Sequence, residues 1–277
     1  MKRVRERIRE EDEMKIGFIG CGNMATAMIG GILESGAATV EEIMASDKAP
    51  AIQKRITEEL KIQYGATNQE VAEFADVLFL AVKPQYYADV ISEIKYVVSG
   101  KEVIVTIAPG KTLDWLAQQF GRPLKIVRTM PNTPAMVKAG MMGLSKNQYV
   151  TDGDMELVQG LCRSFGMAEW VPENLLDVVT AVSGSGPAYV FMMIEAMADG
   201  AVADGMPRDQ AYKFAAQAVY GSAKMMLELG KHPGELKDMV CSPGGTTIDA
   251  VRVLEERGFR SALIEAEKAC VKKAKKL

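Results

Sequence analysis

From Met14 onward, short apolar runs alternate with stretches whose apolar residues recur at helical spacing. Lys15–Ile19 reads as a buried strand, and the same pattern returns at Ile43–Ser46, Ile62–Tyr64, Asp76–Val82, Glu102–Ala108 and Leu124–Arg128. Met141–Ser145 and Met167–Val171 are two later strands. Between them, helical periodicity covers Thr26–Leu33, Ala51–Leu60, Asn68–Phe74, Tyr86–Val98, a segment capped by Thr112 and ending at Phe120, and Asp152–Phe165. Continuous apolar strands that alternate with helices predict a doubly wound, mostly parallel sheet covered on both faces. After Pro172 the strand pattern stops. Helices are expected over Leu175–Val182, Ala188–Gly205, from Pro207 to Leu229, and over Glu235–Val240, Ile248–Arg257 and Ser261–Lys275. Ser183-Gly-Ser-Gly-Pro187 is expected to break or kink the first of these. The plan is therefore an α/β domain over residues 14–172 and an all-α domain over 173–277.

Two features of the pattern go beyond fold class. Ala188–Gly205 is apolar on nearly every side, with Met192, Met193, Ile194 and Met197 in sequence, so it must be buried. A domain this small cannot bury it alone, which calls for a second subunit. Residues 1–13 carry alternating basic and acidic charge with no apolar period, and read as a solvated, disordered tail.

Gly20-Cys-Gly-Asn-Met-Ala25 lies between the first strand and the first helix and matches the GxGxxA dinucleotide fingerprint. Gly20 permits the turn, Gly22 lets a pyrophosphate approach the backbone, and Ala25 allows close helix–strand packing. The helix start at Asn23 and Met24 then presents free N–H groups to the anion. The end of the second strand meets the adenosine ribose in such folds. Ser46 and Lys48 suit a 2′-phosphate there, whereas Asp47 suits a free 2′-hydroxyl. Ala81-Val82-Lys83-Pro84 and Met130-Pro131-Asn132-Thr133-Pro134 end two further strands on the same sheet edge, where they would flank a nicotinamide. In the helical half, Ser242-Pro-Gly-Gly-Thr-Thr247 is a second candidate anion site, with exposed N–H groups and two hydroxyls at a helix start.

Composition narrows the chemistry. A net charge of −3 over 277 residues argues against nucleic acid or an anionic membrane as partner. No uninterrupted apolar run is long enough for a membrane span. The four cysteines form no CxxC pair and read as reduced thiols, and with a single histidine, His232, a metal site is not expected. No nucleophile elbow or Walker loop occurs. An enzyme built this way leaves its chemistry to a cofactor, and hydride transfer to an imine needs little beyond positioning and a proton donor.

These motifs, together with Ser183-Gly-Ser-Gly-Pro-Ala-Tyr189 and the run from His232-Pro-Gly to Ser242-Pro-Gly-Gly-Thr-Thr-Ile248, resemble those of the Δ1-pyrroline-5-carboxylate reductase family. The resemblance spans about Met14 to Lys272. It implies a Rossmann domain for NADP(H), with NAD(H) as a second cofactor, and a helical domain that interlocks with its copy in a homodimer. In some members the dimers assemble into decamers. It implies a cytoplasmic enzyme that reduces pyrroline-5-carboxylate to L-proline, the last step of proline biosynthesis. The cofactor residues would be Gly20, Gly22, Asn23, Met24, Ser46, Lys48, Asn68, Ala81, Val82, Lys83, Pro84, Met130, Pro131 and Asn132. Ser242, Gly244, Gly245, Thr246 and Thr247 would hold the substrate, with Thr247 as the catalytic hydroxyl at the ring nitrogen. Where some relatives carry an acid before the His-Pro-Gly turn, this chain has Gly230 and Lys231. Two other readings stay open at this point: a β-hydroxyacid dehydrogenase, which would need a lysine in the first long helix of the second domain, and a non-catalytic dinucleotide sensor.

Overall fold

In the computed structural model of the protein, residues 14–276 are described, so the tail expected over residues 1–13 lies outside the described residues. The central strands are β1 (Ile16–Ile19) and β4 (Val77–Leu80), each buried at every position. Their side chains alternate between two cores. Ile16, Phe18, Val77 and Phe79 join the first, while Ile19, Leu78 and Leu80 join the second. Burial on both faces is what makes these strands uniformly apolar. Phe18 and Phe79 stack with ring centroids 4.7 Å apart. Helix α1 (Asn23–Ser35) packs its Met28, Ile29 and Ile32 into the first core.

The remaining strands are β2 (Ile43–Ser46), β3 (Gln63–Tyr64), β5 (Val103–Thr106), β6 (Lys125–Met130), β7 (Gly140–Lys146) and β8 (Gly166–Trp170). They form one eight-stranded sheet in the order β3-β2-β1-β4-β5-β6-β7-β8. Every pairing is parallel except β6 with β7. The strand order reverses direction between β1 and β4, the switch point at which open α/β sheets leave a crevice at their carboxyl edge. The connecting helices are α2 (Pro50–Lys54), α3 (Asn68–Phe74), α4 (Tyr87–Ile94), α5 (Leu113–Phe120) and α6 (Asp152–Cys162). Thr67, Thr112 and Thr151 cap α3, α5 and α6 through their hydroxyls, which accept from the N–H three residues on.

Chain contacts divide the molecule into two units. The first runs through Gly184 and resumes at Cys270, and the second is Ser185–Ala269. Residues 173–184 therefore pack with the sheet, although the expected boundary fell at Pro172. The tie is Arg128, buried in β6, whose guanidinium donates to Glu173 at 2.9 Å and lies 3.8 Å from Asp177. At Ser183–Pro187, where a break or kink was expected, the α-helix is interrupted but the chain stays helical. Helix α7 (Leu176–Val179) widens into a π-helix over Thr180–Ser185 and then α8 (Gly186–Ala203) begins. Pro187 sits in the first turn of α8, where its missing N–H has no partner to lose.

The second unit contains all of α8, then α9 (Arg208–Leu229), α10 (Pro233–Val240), α11 (Thr246–Glu256) and most of α12 (Phe259–Ala274). Helices α8 and α9 pack on each other. Among the described residues of this unit, the fully buried apolar side chains are only Ala198, Ala211 and Ala215. Phe191, Met192, Phe214 and Leu227 are each at least 64% exposed. Such a unit lacks a core of its own.

Candidate active site

The site begins at the turn after β1. Gly20 adopts φ +87°, and a Cβ there would meet the Val82 side chain at 2.8 Å and the Ala81 carbonyl at 2.9 Å. The fingerprint turn thus sits directly on Ala81-Val82. Gly20 N–H donates to the Ser46 carbonyl at 2.9 Å, and Ala81 N–H donates to that of Ile19 at 2.8 Å. These bonds bring three predicted segments, from β1, β2 and β4, to one edge.

Gly22 is the N-cap of α1, and no side chain caps that helix. A Cβ at Gly22 would meet nothing within 4 Å, and the first turn of α1 carries no acid. Open space before an uncapped helix of 13 residues is the cradle that a pyrophosphate needs, so these residues fit a dinucleotide. Cys21, beside it, donates its backbone N–H to Asp47 Oδ2 at 3.0 Å. Burial pushes the Cys21 thiol up to about 11, so it remains neutral and adds no charge beside the anion site.

At the end of β2 lies an open pocket of about 320 Å³ lined by Ser46, Asp47, Lys48, Asn68 and Glu93 among others. The Ser46 hydroxyl donates to Asn68 Oδ1 at 2.7 Å. Asn68 Nδ2 donates to Glu93 Oε2 at 2.5 Å, and Lys48 Nζ lies 3.5 Å from Glu93 Oε1. Asp47 accepts backbone N–H bonds on both oxygens, from Cys21 and, at 2.9 Å, from Ala49. Asp47, which lines the same pocket as Ser46 and Lys48, is thereby tied to the fingerprint turn and to its own loop. Glu93 was missed by motif reading, since nothing in its local sequence marks it.

The Met130–Pro134 and Ser183–Pro187 motifs, far apart in sequence, come together. Asn132 Nδ2 donates to the Ser183 carbonyl at 3.0 Å, and its Oδ1 accepts from Met141 N–H at 2.8 Å. A Cβ at Gly184 would meet Met130 Cε at 2.8 Å. The Asn132 amide thus locks the loop after β6 against the π turn, which holds Met130 and Pro131 at the sheet's carboxyl edge. Lys83 and Pro84 begin a 3₁₀ turn after β4 on that same edge.

In the second unit, Gly244 adopts φ +68°, and Gly245 is the N-cap of α11 with its N–H donating to the Ser242 carbonyl at 3.0 Å. Thr246 and Thr247 therefore open the helix, two residues earlier than its apolar period suggested. No side chain caps α11, which leaves the first-turn N–H groups of this loop available to an anion. His232 is the N-cap of α10, its Nδ1 accepting from Gly234 N–H at 3.1 Å. Among the described residues no cluster of histidine, cysteine and acidic side chains could hold a metal.

A Rossmann sheet with an open fingerprint turn, followed by a helical unit without its own core, defines a dinucleotide-binding oxidoreductase of the two-domain, dimerising kind. A family model described as pyrroline-5-carboxylate reductase dimerisation matches residues 173–277, and one described as NADP oxidoreductase, coenzyme F420-dependent, matches 15–110. The chain belongs to the pyrroline-5-carboxylate reductase family. It is 54% identical to the pyrroline-5-carboxylate reductase of Escherichia coli over 96% of this chain and 98% of that protein. The solved reductase of Coxiella burnetii superposes with a TM-score of 0.91 at 34% identity, covering 96% of this chain and 98% of that one. A Plasmodium falciparum pyrroline carboxylate reductase with NADP bound gives a TM-score of 0.85 at 30% identity, with 95% and 97% covered.

Proposed function

We propose that the protein reduces Δ1-pyrroline-5-carboxylate to L-proline with NADPH, the last step of proline biosynthesis, and that NADH serves as a second cofactor. The observation that carries this reading is one chain holding both an uncapped fingerprint helix and the Ser242–Thr247 loop, matched nearly end to end by reductases of that name. NADP appears both in the description of the N-terminal family and in the Plasmodium falciparum structure. The β-hydroxyacid dehydrogenase alternative lacks support, because α8 contains no lysine.

When bound, the nicotinamide supplies the hydride. The N–H groups of Asn23 and Met24 would take the pyrophosphate, and Ser46, Lys48 and Asn68 would take the adenosine ribose and its phosphate. Ala81–Pro84 and Met130–Asn132 would hold the nicotinamide end. The backbone of Gly244, Gly245 and Thr246, with Ser242, holds the substrate carboxylate. Thr247 donates to the ring nitrogen, which keeps the imine carbon electrophilic while charge redistributes toward nitrogen. With one proton taken up at the ring nitrogen, the products are the secondary amine and the oxidised cofactor.

Homo-oligomerisation follows from the dimerisation domain. We assign the contact to α8 and α9, and a decamer is the larger assembly expected. One helical run among the described residues, Glu173–Ala203, is long and apolar enough in composition to cross a membrane. Its start is bonded to Arg128 in the sheet domain, and a partner subunit accounts for its exposed apolar surface. A soluble, cytoplasmic dimer is the reading this favours. The test is direct: purified protein given pyrroline-5-carboxylate and NADPH or NADH should form proline, and binding of cofactor without turnover would refute the assignment.

A further inference from the structure

The pocket beyond β2 contains an acid that contacts two of the three groups assigned to the adenosine ribose and its phosphate, Asn68 and Lys48, and reaches the third, Ser46, through Asn68. Glu93 belongs to α4, and its side chain is 34% exposed. One carboxylate oxygen accepts from Asn68, and the other faces the Lys48 ammonium. Asn68 in turn receives the Ser46 hydroxyl. Asp47, the second acid in the pocket wall, is held by backbone N–H groups of Cys21 and Ala49. The Lys48 side chain is 85% exposed, and among the described residues it pairs with Glu93 alone.

We propose that Glu93 sets cofactor specificity: its carboxylate holds Asn68 for the ribose and competes with the 2′-phosphate of NADPH for Lys48. The inference rests on the dinucleotide reading of this pocket. A phosphate monoester carries about −1.5 to −2 charges at neutral pH. To reach Lys48 it must displace Glu93 and then lie beside an uncompensated carboxylate. The 2′-hydroxyl of NADH is neutral and meets neither cost, and it can donate to the same carboxylate. Glu93 therefore narrows the margin by which Ser46 and Lys48 favour the phosphorylated cofactor.

Glu93→Gln removes the charge and retains an acceptor for Asn68 Nδ2. Dissociation constants for NADPH and NADH, read by cofactor fluorescence, should show the NADPH-to-NADH affinity ratio rising on the order of fivefold. The rise should shrink with added salt. Lys48→Ala alone should lower the ratio, and in that background Glu93→Gln should raise it by clearly less, because the competition for the cation is gone and only the carboxylate's repulsion of the phosphate is relieved. An unchanged or lowered ratio in Glu93→Gln, or an equal rise without Lys48, overturns the proposal. Wild-type protein that binds neither nucleotide would instead overturn the functional reading on which it rests.

Discussion

Tyr87 is fully buried between the carboxyl ends of β4 and β5. Their ladder stops at Leu80 opposite Thr106. The next N–H, that of Ile107, donates to the Tyr87 hydroxyl at 3.2 Å, and the hydroxyl donates to the Leu80 carbonyl at 2.5 Å. One side-chain oxygen thus stands in for a ladder bond and parts the two strands beside Ala81. Burial holds this phenol far above its ordinary range, so it stays a donor. Tyr87→Phe leaves two buried backbone groups without their partner and should cost about 1–3 kcal/mol, read as a lower urea midpoint. Thr247 belongs to the same scale. Thr247→Ala should lower kcat about 100-fold with NADPH binding intact, as expected when a transition-state donor is lost. Thr246→Ala should do less. Equal, mild effects of both on KM alone would make Thr247 a helix-start residue only.

Among the elements, caps decide boundaries, and one of them was legible outright. Thr112 reads as a cap from the sequence and accepts from the N–H three residues on, and Thr67 and Thr151 accept likewise for α3 and α6. At α6 the reciprocal bond also forms, from Thr151 N–H to Asp154 at 2.8 Å. Burial would raise the Asp154 carboxyl, but hydrogen bonds from Thr151 and Lys125 outweigh it and hold the group below its usual value. A carboxyl lowered on folding stabilises the protein above its unfolded pKa of about 3.9, and that stability is lost as pH falls through the folded value. Asp154→Asn should therefore destabilise the protein at neutral pH, with the difference from wild type fading in thermal melts below pH about 4. The π turn at Thr180–Ser185 was not legible. Glycine and proline read locally as a break, yet glycine tolerates the wider turn and Pro187 falls where a helix restarts. Helix α4 likewise ends at Ile94, short of the expected Val98, because the chain turns at Lys95–Val97.

For the molecule as a whole, sheet order explains what could and could not be read. The glycine turn, Lys83-Pro84 and Met130-Pro131 follow strands of one parallel sheet, so their meeting at one edge follows from alternation alone. Glu93 does not, because its contacts with Lys48 and Asn68 depend on how α4 lies relative to the ends of β2 and α3. The need for a partner was legible in Ala188–Gly205, and the second unit bears it out with three buried alanines and exposed Phe191, Met192 and Phe214. Sedimentation at micromolar concentration should find no folded monomer, and a well-folded monomer would contradict an interface on α8 and α9. The central claim, hydride transfer to the imine carbon, is tested most directly by isotope. With NADPH deuterated at the transferable C4 position and pyrroline-5-carboxylate as substrate, the account predicts L-proline carrying deuterium at the former imine carbon and nowhere else. Unlabelled proline, or no proline from protein that binds the cofactor, would contradict it.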